Sequence, residues 1–305
     1  MFRKIFAGFA LALSLLAPAF GASSKFEAVS FDAGGLAVEQ VSDEGPAVIL
    51  IPGLASGSWV WTDTAERLRA THSVYLLTLP GFDGRPRDAS ATLDTIQRDL
   101  LNLIESRKID RPVLVGHSLG GTLSLAFATQ HSDKIAGVVA VDGLPVFPGT
   151  ERVTGDRTTL GDNMRAQLAG LNAEQFAASQ LGYMRQIGSI DEKTAAKLAG
   201  KSGRSDPTAT GEFAGQVVAL DLRPKLGGIK VPVVEISPFY APDFAAMGVD
   251  ENGKSGYYRM LLSGVEKLEV VSVSPARHFV MFDQPEKFAA ALEQALAGMS
   301  AARGK

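Results

Sequence analysis

Short apolar runs alternate with longer amphipathic stretches along most of this chain. Continuous apolar runs bounded by turn-forming residues are typical of strands that are buried on both faces of a sheet. Such runs lie at 47–51, 73–79, 113–115, 135–141 and 231–236. Between them, apolar residues recur at three- and four-residue steps, a spacing that predicts amphipathic helices. The clearest of these are expected at 59–70, 92–106 and 285–299.

The pattern differs at the start and in the middle of the chain. Alternating apolar and polar residues at 25–31 and 36–41, on either side of a Gly-Gly pair, predict a hairpin at a sheet edge. From 144 to 224 we find helical segments and no convincing strand, with helices expected at 165–171, 173–187, 191–200 and 209–220. Strand character returns at 231 and again at 268–273. The helical stretch is therefore expected to be an insertion that covers the strand ends.

Strands that alternate with helices indicate a mostly parallel sheet with right-handed crossovers. We therefore predict an α/β fold, with a mostly parallel sheet flanked by helices and a helical cap insertion. The core is expected to comprise 22–143 and 225–305, and the cap 144–224. In such sheets ligands bind beyond the carboxyl ends of the strands, which is where the chemistry-bearing residues of this chain fall.

The segment 113–122, Val-Leu-Val-Gly-His-Ser-Leu-Gly-Gly-Thr, predicts a buried strand, a sharp turn and a helix. Gly116, Ser118 and Gly120 have G-x-S-x-G spacing. A serine on so tight a turn needs small residues two positions before and after it, because the strand and the helix would otherwise collide. A glycine-rich turn without chemistry is the alternative, but the flanking strand and helix favour Ser118 as a nucleophile.

A serine hydroxyl becomes an effective nucleophile only when a neighbouring base accepts its proton. His278 follows the last predicted strand and precedes the last helix, so it is expected at the same edge of the sheet as Ser118. The other histidines, His72, His117 and His131, are interpreted as structural.

The oxygen of a tetrahedral intermediate needs two aligned backbone N–H groups. We expect one from Leu119, directly after the nucleophile. The other is expected from Leu54, which follows Gly53 in the loop after the strand at 47–51.

Composition excludes several classes of function. A net charge of -3 and a pI near 5.9 argue against nucleic acid or an anionic membrane as a partner. The chain contains no cysteine, which excludes disulfides, thiolate metal sites and a cysteine nucleophile. No histidine pair has ligand spacing, so neither a metal nor another cofactor is predicted.

The first residues have the pattern of a targeting signal. Arg3 and Lys4 precede an apolar stretch at 5–16, and small residues follow at Ala19 and Gly21. The apolar stretch is shorter than an ordinary transmembrane helix. We therefore predict a signal peptide at 1–21, cleaved after Gly21 or Ala19, and a periplasmic or secreted protein without a stable membrane anchor.

Three segments carry a family resemblance. They are Gly-His-Ser-Leu-Gly-Gly at 116–121, Ala-Arg-His-Phe-Val-Met-Phe-Asp-Gln-Pro-Glu-Lys-Phe at 276–288, and Ile-Pro-Gly-Leu at 51–54 with Trp61 beyond it. Together they resemble the α/β-hydrolase family, in its capped lipase- and esterase-like form. The resemblance implies a relay of serine, acid and histidine that hydrolyses an ester-like bond. One departure is Pro52-Gly53, where the family usually has His-Gly; the backbone donor is retained.

The acid of the implied relay has alternative positions. Family members most often carry it after the strand that is here at 231–236, where this chain has a longer loop ending in Asp243. Others carry it one strand earlier, where Asp142 ends the run at 135–141. Rigid placement at a strand end favours Asp142. Asp221 is a weaker candidate, expected to join the cap to the core.

The sequence thus predicts an exported serine hydrolase that cleaves a carboxylic ester or related acyl bond of a small molecule through an acyl-enzyme. Ser118 is the nucleophile, His278 the base and Asp142 the acid. An acyltransferase, or a hydrolase of amides, lactones or carbon–carbon bonds, fits the same relay; a non-catalytic binding protein on this scaffold is a further alternative. Apolar cap residues are expected either to line the substrate pocket or to pack the cap on the core: Phe147, Met164, Phe176, Tyr183 and Met184.

Overall fold

The computed structural model describes residues 27–303, and an eight-stranded sheet forms the centre of this part of the chain. The predicted signal peptide at 1–21 lies outside the described residues. The strands are β1 Val29–Ala33, β2 Leu36–Gln40, β3 Ala47–Ile51, β4 Ser73–Thr78, β5 Val113–His117, β6 Gly137–Val141, β7 Val233–Pro238 and β8 Leu268–Val273.

The sheet is parallel except at one edge, and this confirms the predicted fold class. Its strand order is β1-β2-β4-β3-β5-β6-β7-β8. The hairpin of β1 and β2 joins antiparallel to β4, and every later pairing is parallel. The register of β5 on β6 pairs His117 with Val141, so the residues that follow, Ser118 and Asp142, leave the sheet side by side.

Some helices cover the two faces of the sheet, and others lie in the segments that connect its strands. They are α1 Thr62–Leu68, α2 Leu93–Ser106, α3 Leu119–His131, α4 Thr158–Ala169, α5 Ala173–Tyr183, α6 Glu192–Ser202, α7 Pro207–Ala219, α8 Ala241–Phe244, α9 Glu251–Leu261, α10 Val280–Asp283 and α11 Pro285–Arg303.

Alternation along the central strands divides the core into two layers. Ile49 and Leu114 pack with α2 and α3 on one face, whereas Leu50 packs with α1 and α11 on the other. Successive side chains of a strand point to opposite faces, so a continuous apolar run is needed where both faces are covered. This explains why the central strands could be read directly from the sequence.

Helices α4 to α7 lie between β6 and β7, in the stretch expected to form the cap. Helix α4 begins seven residues before its expected start. Its Gly161 lowers helix propensity, but a side chain there would come within 2.5 Å of the Gly215 carbonyl oxygen of α7. Packing against α7 therefore stabilises a helix whose local sequence is poor.

Two further boundaries differ from the prediction. The helix expected at 173–187 ends at Tyr183 and continues as a π-helical turn, Met184–Gly188. The sequence also predicts a short helix at 256–264, but α9 begins at Glu251, because the Asp250 side chain accepts a hydrogen bond from the Gly253 amide and caps the helix.

Candidate active site

The turn between β5 and α3 holds Ser118 in a conformation that few residues adopt. Ser118 has φ 52° and ψ -117°, and its amide donates to the Val141 carbonyl oxygen at 2.9 Å. A side chain at Gly116 would come within 2.1 Å of the Gly120 carbonyl oxygen, so the turn requires glycine there. Strained backbone of this kind is a feature of functional sites. Within residues 27–303 the Ser118 hydroxyl makes no hydrogen bond, either to His278 or to any other group.

His278 and Asp142 form a hydrogen-bonded pair beside this turn. The Nδ1 atom of His278 lies 2.5 Å from Oδ2 of Asp142. Because an ionised carboxylate only accepts hydrogen bonds, Nδ1 carries the hydrogen, and Nε2 of a neutral imidazole is then the basic nitrogen. Both side chains are largely buried, with 12% and 13% of their surface exposed.

The two other acid candidates are held by arginines instead. Nε and Nη2 of Arg277 donate to the two carboxylate oxygens of Asp243 at 2.8 and 2.6 Å. Asp221 accepts from Nε and Nη2 of Arg223 at 2.9 and 2.6 Å. The structure therefore brings Asp142, and neither Asp243 nor Asp221, to His278.

His117 packs directly behind His278. It is fully buried, and its ring centroid lies 4.5 Å from that of His278. Its Nε2 is 3.0 Å from the carbonyl oxygen of His278, which fixes Nε2 as the donor. Burial, with a smaller effect of His278, lowers the pKa of His117 to about 3, so the ring is neutral. His117 thus supports the backbone of the neighbouring histidine, a structural role consistent with the sequence interpretation.

The loop after β3 lies against the Ser118 turn. A side chain at Gly53 would come within 2.8 Å of His117 Nδ1 and 3.1 Å of Ser118 Cβ, so the loop approaches this closely only with glycine. Leu54 follows directly, and Leu119 is the first residue of α3. The amides of Leu54 and Leu119 donate to no protein acceptor within residues 27–303. The two amides predicted to bind the oxyanion therefore have no hydrogen-bond partner in the described part of the chain, and they lie next to Ser118.

The environment of Asp142 favours its ionised form. Burial by itself would raise the pKa of Asp142, but the charge of Lys254, the adjacent imidazole of His278 and the hydrogen bonds from His278 and Tyr258 hold it well below its usual value. The Tyr258 hydroxyl donates to Oδ1, the carboxylate oxygen that His278 does not use. Lys254 and Tyr258 lie one turn apart on α9. Neither could be found from the sequence, because their i, i+4 spacing carries no signal that they act on a residue more than a hundred positions away.

The cap contacts the His278 loop through its π-helical turn. The amides of His278 and Phe279 donate to the carbonyl oxygens of Ile187 and Gly188 at 3.1 and 2.9 Å. The ring of Tyr183 packs edge-on against the imidazole, with the centroids 6.1 Å apart. These backbone contacts could not be inferred from residue types.

Four of the five cap residues considered for a substrate pocket fall into two groups, and the fifth, Met164, is partly buried. Phe176 and Met184 are fully buried, and Met184 belongs to the core layer that contains α1 and α11. Tyr183 and Phe147 are partly exposed, by 38% and 39%. Tyr183 therefore lies at the accessible rim of the site, whereas Phe176 and Met184 pack the cap.

Within the described residues, no cluster of three or more His, Cys, Asp or Glu side chains is arranged to hold a metal ion. None of the helices between 27 and 303 is long and apolar enough to cross a membrane.

Sequence comparison shows which known family this chain matches. Residues 48–291 match the family model described as the alpha/beta hydrolase family. The chain belongs to the alpha/beta hydrolase family. The predicted resemblance and the predicted class of enzyme, a hydrolase, are thereby confirmed.

Relatives of this alpha/beta hydrolase include named esterases. The pimeloyl-(acyl-carrier protein) methyl ester esterase of Vibrio cholerae is 28% identical over 205 residues, which cover 65% of this chain and 76% of that protein. A carbendazim hydrolyzing esterase of a Nocardioides species is 37% identical over 97 residues, covering 31% of this chain and 40% of that protein.

Among solved structures, a thermophilic esterase from Thermogutta terrifontis has a TM-score of 0.71 at 18% identity and covers 90% of this chain and 99% of its own. The enol-lactonase from Burkholderia xenovorans has a TM-score of 0.70 at 19% identity and covers 88% of this chain and 100% of its own. At these identities the likeness concerns the fold.

Proposed function

We propose that this alpha/beta hydrolase cleaves a carboxylic ester or a related acyl bond of a small molecule through an acyl-enzyme on Ser118. The observation that carries the proposal is the hydrogen bond between His278 and Asp142 beside the strained Ser118 turn. The proposal is also supported by the backbone amides of Leu54 and Leu119, which lie beside the same serine and donate to no acceptor in the described residues. The named relatives that are esterases favour an ester as the substrate class.

In the proposed reaction His278 Nε2 takes the proton of the Ser118 hydroxyl as the oxygen attacks the acyl carbon. Asp142 holds the imidazole in the required tautomer and stabilises its charged form. The amides of Leu54 and Leu119 bind the oxyanion of the tetrahedral intermediate. His278 then returns the proton to the leaving alcohol, and a water activated in the same way releases the acid and restores Ser118.

The decisive experiment is labelling with a fluorophosphonate probe together with hydrolysis of a p-nitrophenyl ester. Wild type should be labelled on Ser118, and Ser118→Ala should lose both labelling and hydrolysis. Ser179→Ala is a matched control, because the Ser179 hydroxyl bonds only to the Phe176 carbonyl oxygen within α5; it should be labelled like wild type. Undiminished labelling or hydrolysis in Ser118→Ala would refute the proposal.

The proposal includes export through the segment 1–21, supported by its basic start, apolar core and small residues at the expected cleavage positions. Intact-mass measurement of protein recovered from the periplasm or medium should show an N-terminus after Gly21 or Ala19. Recovery of the uncleaved chain from the cytoplasm alone would contradict export.

A further inference from the structure

We infer that Tyr258 is a positioning residue that holds the carboxylate of Asp142 toward His278. The inference rests on the proposed function, since it concerns the acid of the same site. It follows from the hydrogen bond that the Tyr258 hydroxyl donates to Asp142 Oδ1 while His278 Nδ1 occupies Oδ2. The carboxylate is thus held at both oxygens by groups on two different elements.

The hydrogen bond from Tyr258 matters because the carboxylate of an aspartate can rotate about its Cβ–Cγ bond. With one hydrogen bond, the carboxylate could turn out of the imidazole plane without losing much energy. A second donor on the opposite oxygen fixes the plane of the carboxylate. The fixed carboxylate in turn fixes the orientation of the imidazole that is bonded to it. Asp142 also has a positive φ of 51°, so its backbone is already committed to one direction.

The phenol itself is rigidly placed. Tyr258 is 5% exposed and packs with Leu144, Val146 and Leu261 in a small apolar cluster between α9 and the strand end that carries Asp142. Lys254, one turn earlier, donates to the Pro238 carbonyl oxygen, and its Nζ lies 5.2 Å from the Tyr258 ring centroid. Lys254 therefore anchors α9 to the end of β7, one turn before the residue whose hydroxyl meets the carboxylate.

The hydroxyl stays a donor throughout the working range of pH. Burial first, and then the charge of Asp142, raise the pKa of Tyr258 well above its ordinary value. A protonated phenol beside an ionised carboxylate can only donate, so the direction of the hydrogen bond is fixed.

The neighbouring residue provides a matched control. The Tyr257 hydroxyl also donates to a carboxylate, that of Glu151, which lies in the segment between β6 and α4. Tyr257→Phe removes the same atom from the same helix and breaks the same type of bond without touching Asp142. Any general effect of losing a phenol from α9 should appear in both variants.

The test measures kcat and KM for a p-nitrophenyl ester and the rate of fluorophosphonate labelling in both variants. Tyr258→Phe should lower kcat and the labelling rate about ten- to a hundredfold, the range expected for one hydrogen bond to a charged group, with KM unchanged. Tyr257→Phe should match wild type. Thermal unfolding of each variant checks that the fold is intact.

A double-mutant cycle separates positioning from a general structural effect. If Tyr258 acts through Asp142, Tyr258→Phe should cause no further loss in an Asp142→Ala background. Proton NMR gives an independent measurement, because the His278 Nδ1–H resonance should move in Tyr258→Phe and stay in place in Tyr257→Phe.

The outcomes distinguish the two proposals. Wild type that is not labelled on Ser118 would refute the proposed function. Normal labelling of wild type, combined with a wild-type rate in Tyr258→Phe or an equal loss in the Asp142→Ala background, would overturn the inference alone.

Discussion

Two residues of the candidate site have backbones in the left-handed region, and both end a strand. Ser118 follows β5 and Asp142 follows β6, with φ of 52° and 51°. Neither is glycine, so each conformation is strained and must be held by its surroundings. The holding bonds are to the next strand: the Ser118 amide donates to Val141, and the Asp142 amide to Ile236. The sheet thereby fixes Ser118 and Asp142, the proposed nucleophile and acid, relative to each other, and His278 is placed by its own loop.

At the residue scale, the choice of acid gives the first prediction. Asp142→Asn should lower kcat on the order of 10³- to 10⁴-fold, because an amide at this position favours the wrong imidazole tautomer. Asp243→Asn should leave kcat close to wild type, since it weakens only a partly exposed ion pair with Arg277. Steady-state hydrolysis of a p-nitrophenyl ester measures both. A large loss in Asp243→Asn with little in Asp142→Asn would move the acid to the later loop.

At the scale of elements, the cap is joined to the loop that carries His278, the proposed base, rather than resting above it. The π-helical turn Met184–Gly188 accepts two backbone hydrogen bonds from the His278 loop. Asp283, at the end of α10, completes the junction. It accepts from the Ser189 hydroxyl at 2.5 Å and from the amides of Ile190 and Arg277 at 3.1 and 2.8 Å. One carboxylate therefore binds cap and histidine loop together.

The second prediction concerns this junction. Asp283→Ala should lower kcat about tenfold or more, because it frees the loop that carries His278, and small misplacements of a catalytic group are costly. Amide hydrogen exchange in 184–190 should become faster in the same variant. Asp191→Ala is the matched control: Asp191 caps α6 by accepting from the Thr194 amide, so its loss should cost about 1 kcal/mol of stability and leave kcat unchanged. Equal effects on kcat in both variants would contradict a specific junction.

Elements differ in how far the sequence could predict them. Strand β3 has the predicted bounds because its apolar run is covered on both faces, and α2 begins at its Thr92 cap. Asp142 and His278, 136 positions apart, could be proposed together because both follow parallel strands. The start of α4 and the role of Tyr258 could not be predicted. Both depend on how one helix docks on another element, and residue type does not encode that docking.

At the scale of the whole molecule, the site rests on two buried groups whose pKa values are both lowered, with opposite consequences for their charge. His117 is kept neutral by burial, while Asp142 is kept ionised by its partners. Glu235 is fully buried on β7 near Asp142, and its pKa is raised instead. Its Oε1 is 3.3 Å from the Gly143 amide, and Oε2 has no partner among the described residues. Burial, and then the charge of Asp142, raise the pKa of Glu235 well above its ordinary value.

The neutral state of Glu235 makes the stability of the whole protein depend on pH. Above the ordinary glutamate pKa the unfolded chain releases this proton and the folded chain keeps it. Folding is then linked to proton uptake, and stability falls as pH rises toward the raised pKa, by up to about 1.4 kcal/mol for each pH unit.

Glu235→Gln keeps an oxygen for the Gly143 amide and removes the titration. Its free energy of unfolding should therefore exceed that of wild type by an amount that grows as the pH rises from about 5 toward the raised pKa. Urea denaturation across this range measures the difference, and Glu269→Gln, an exposed substitution on β8, should give a curve parallel to wild type. If the Glu235→Gln curve were also parallel, Glu235 would be ionised in the folded protein and the buried carboxyl would need a partner that offsets its charge.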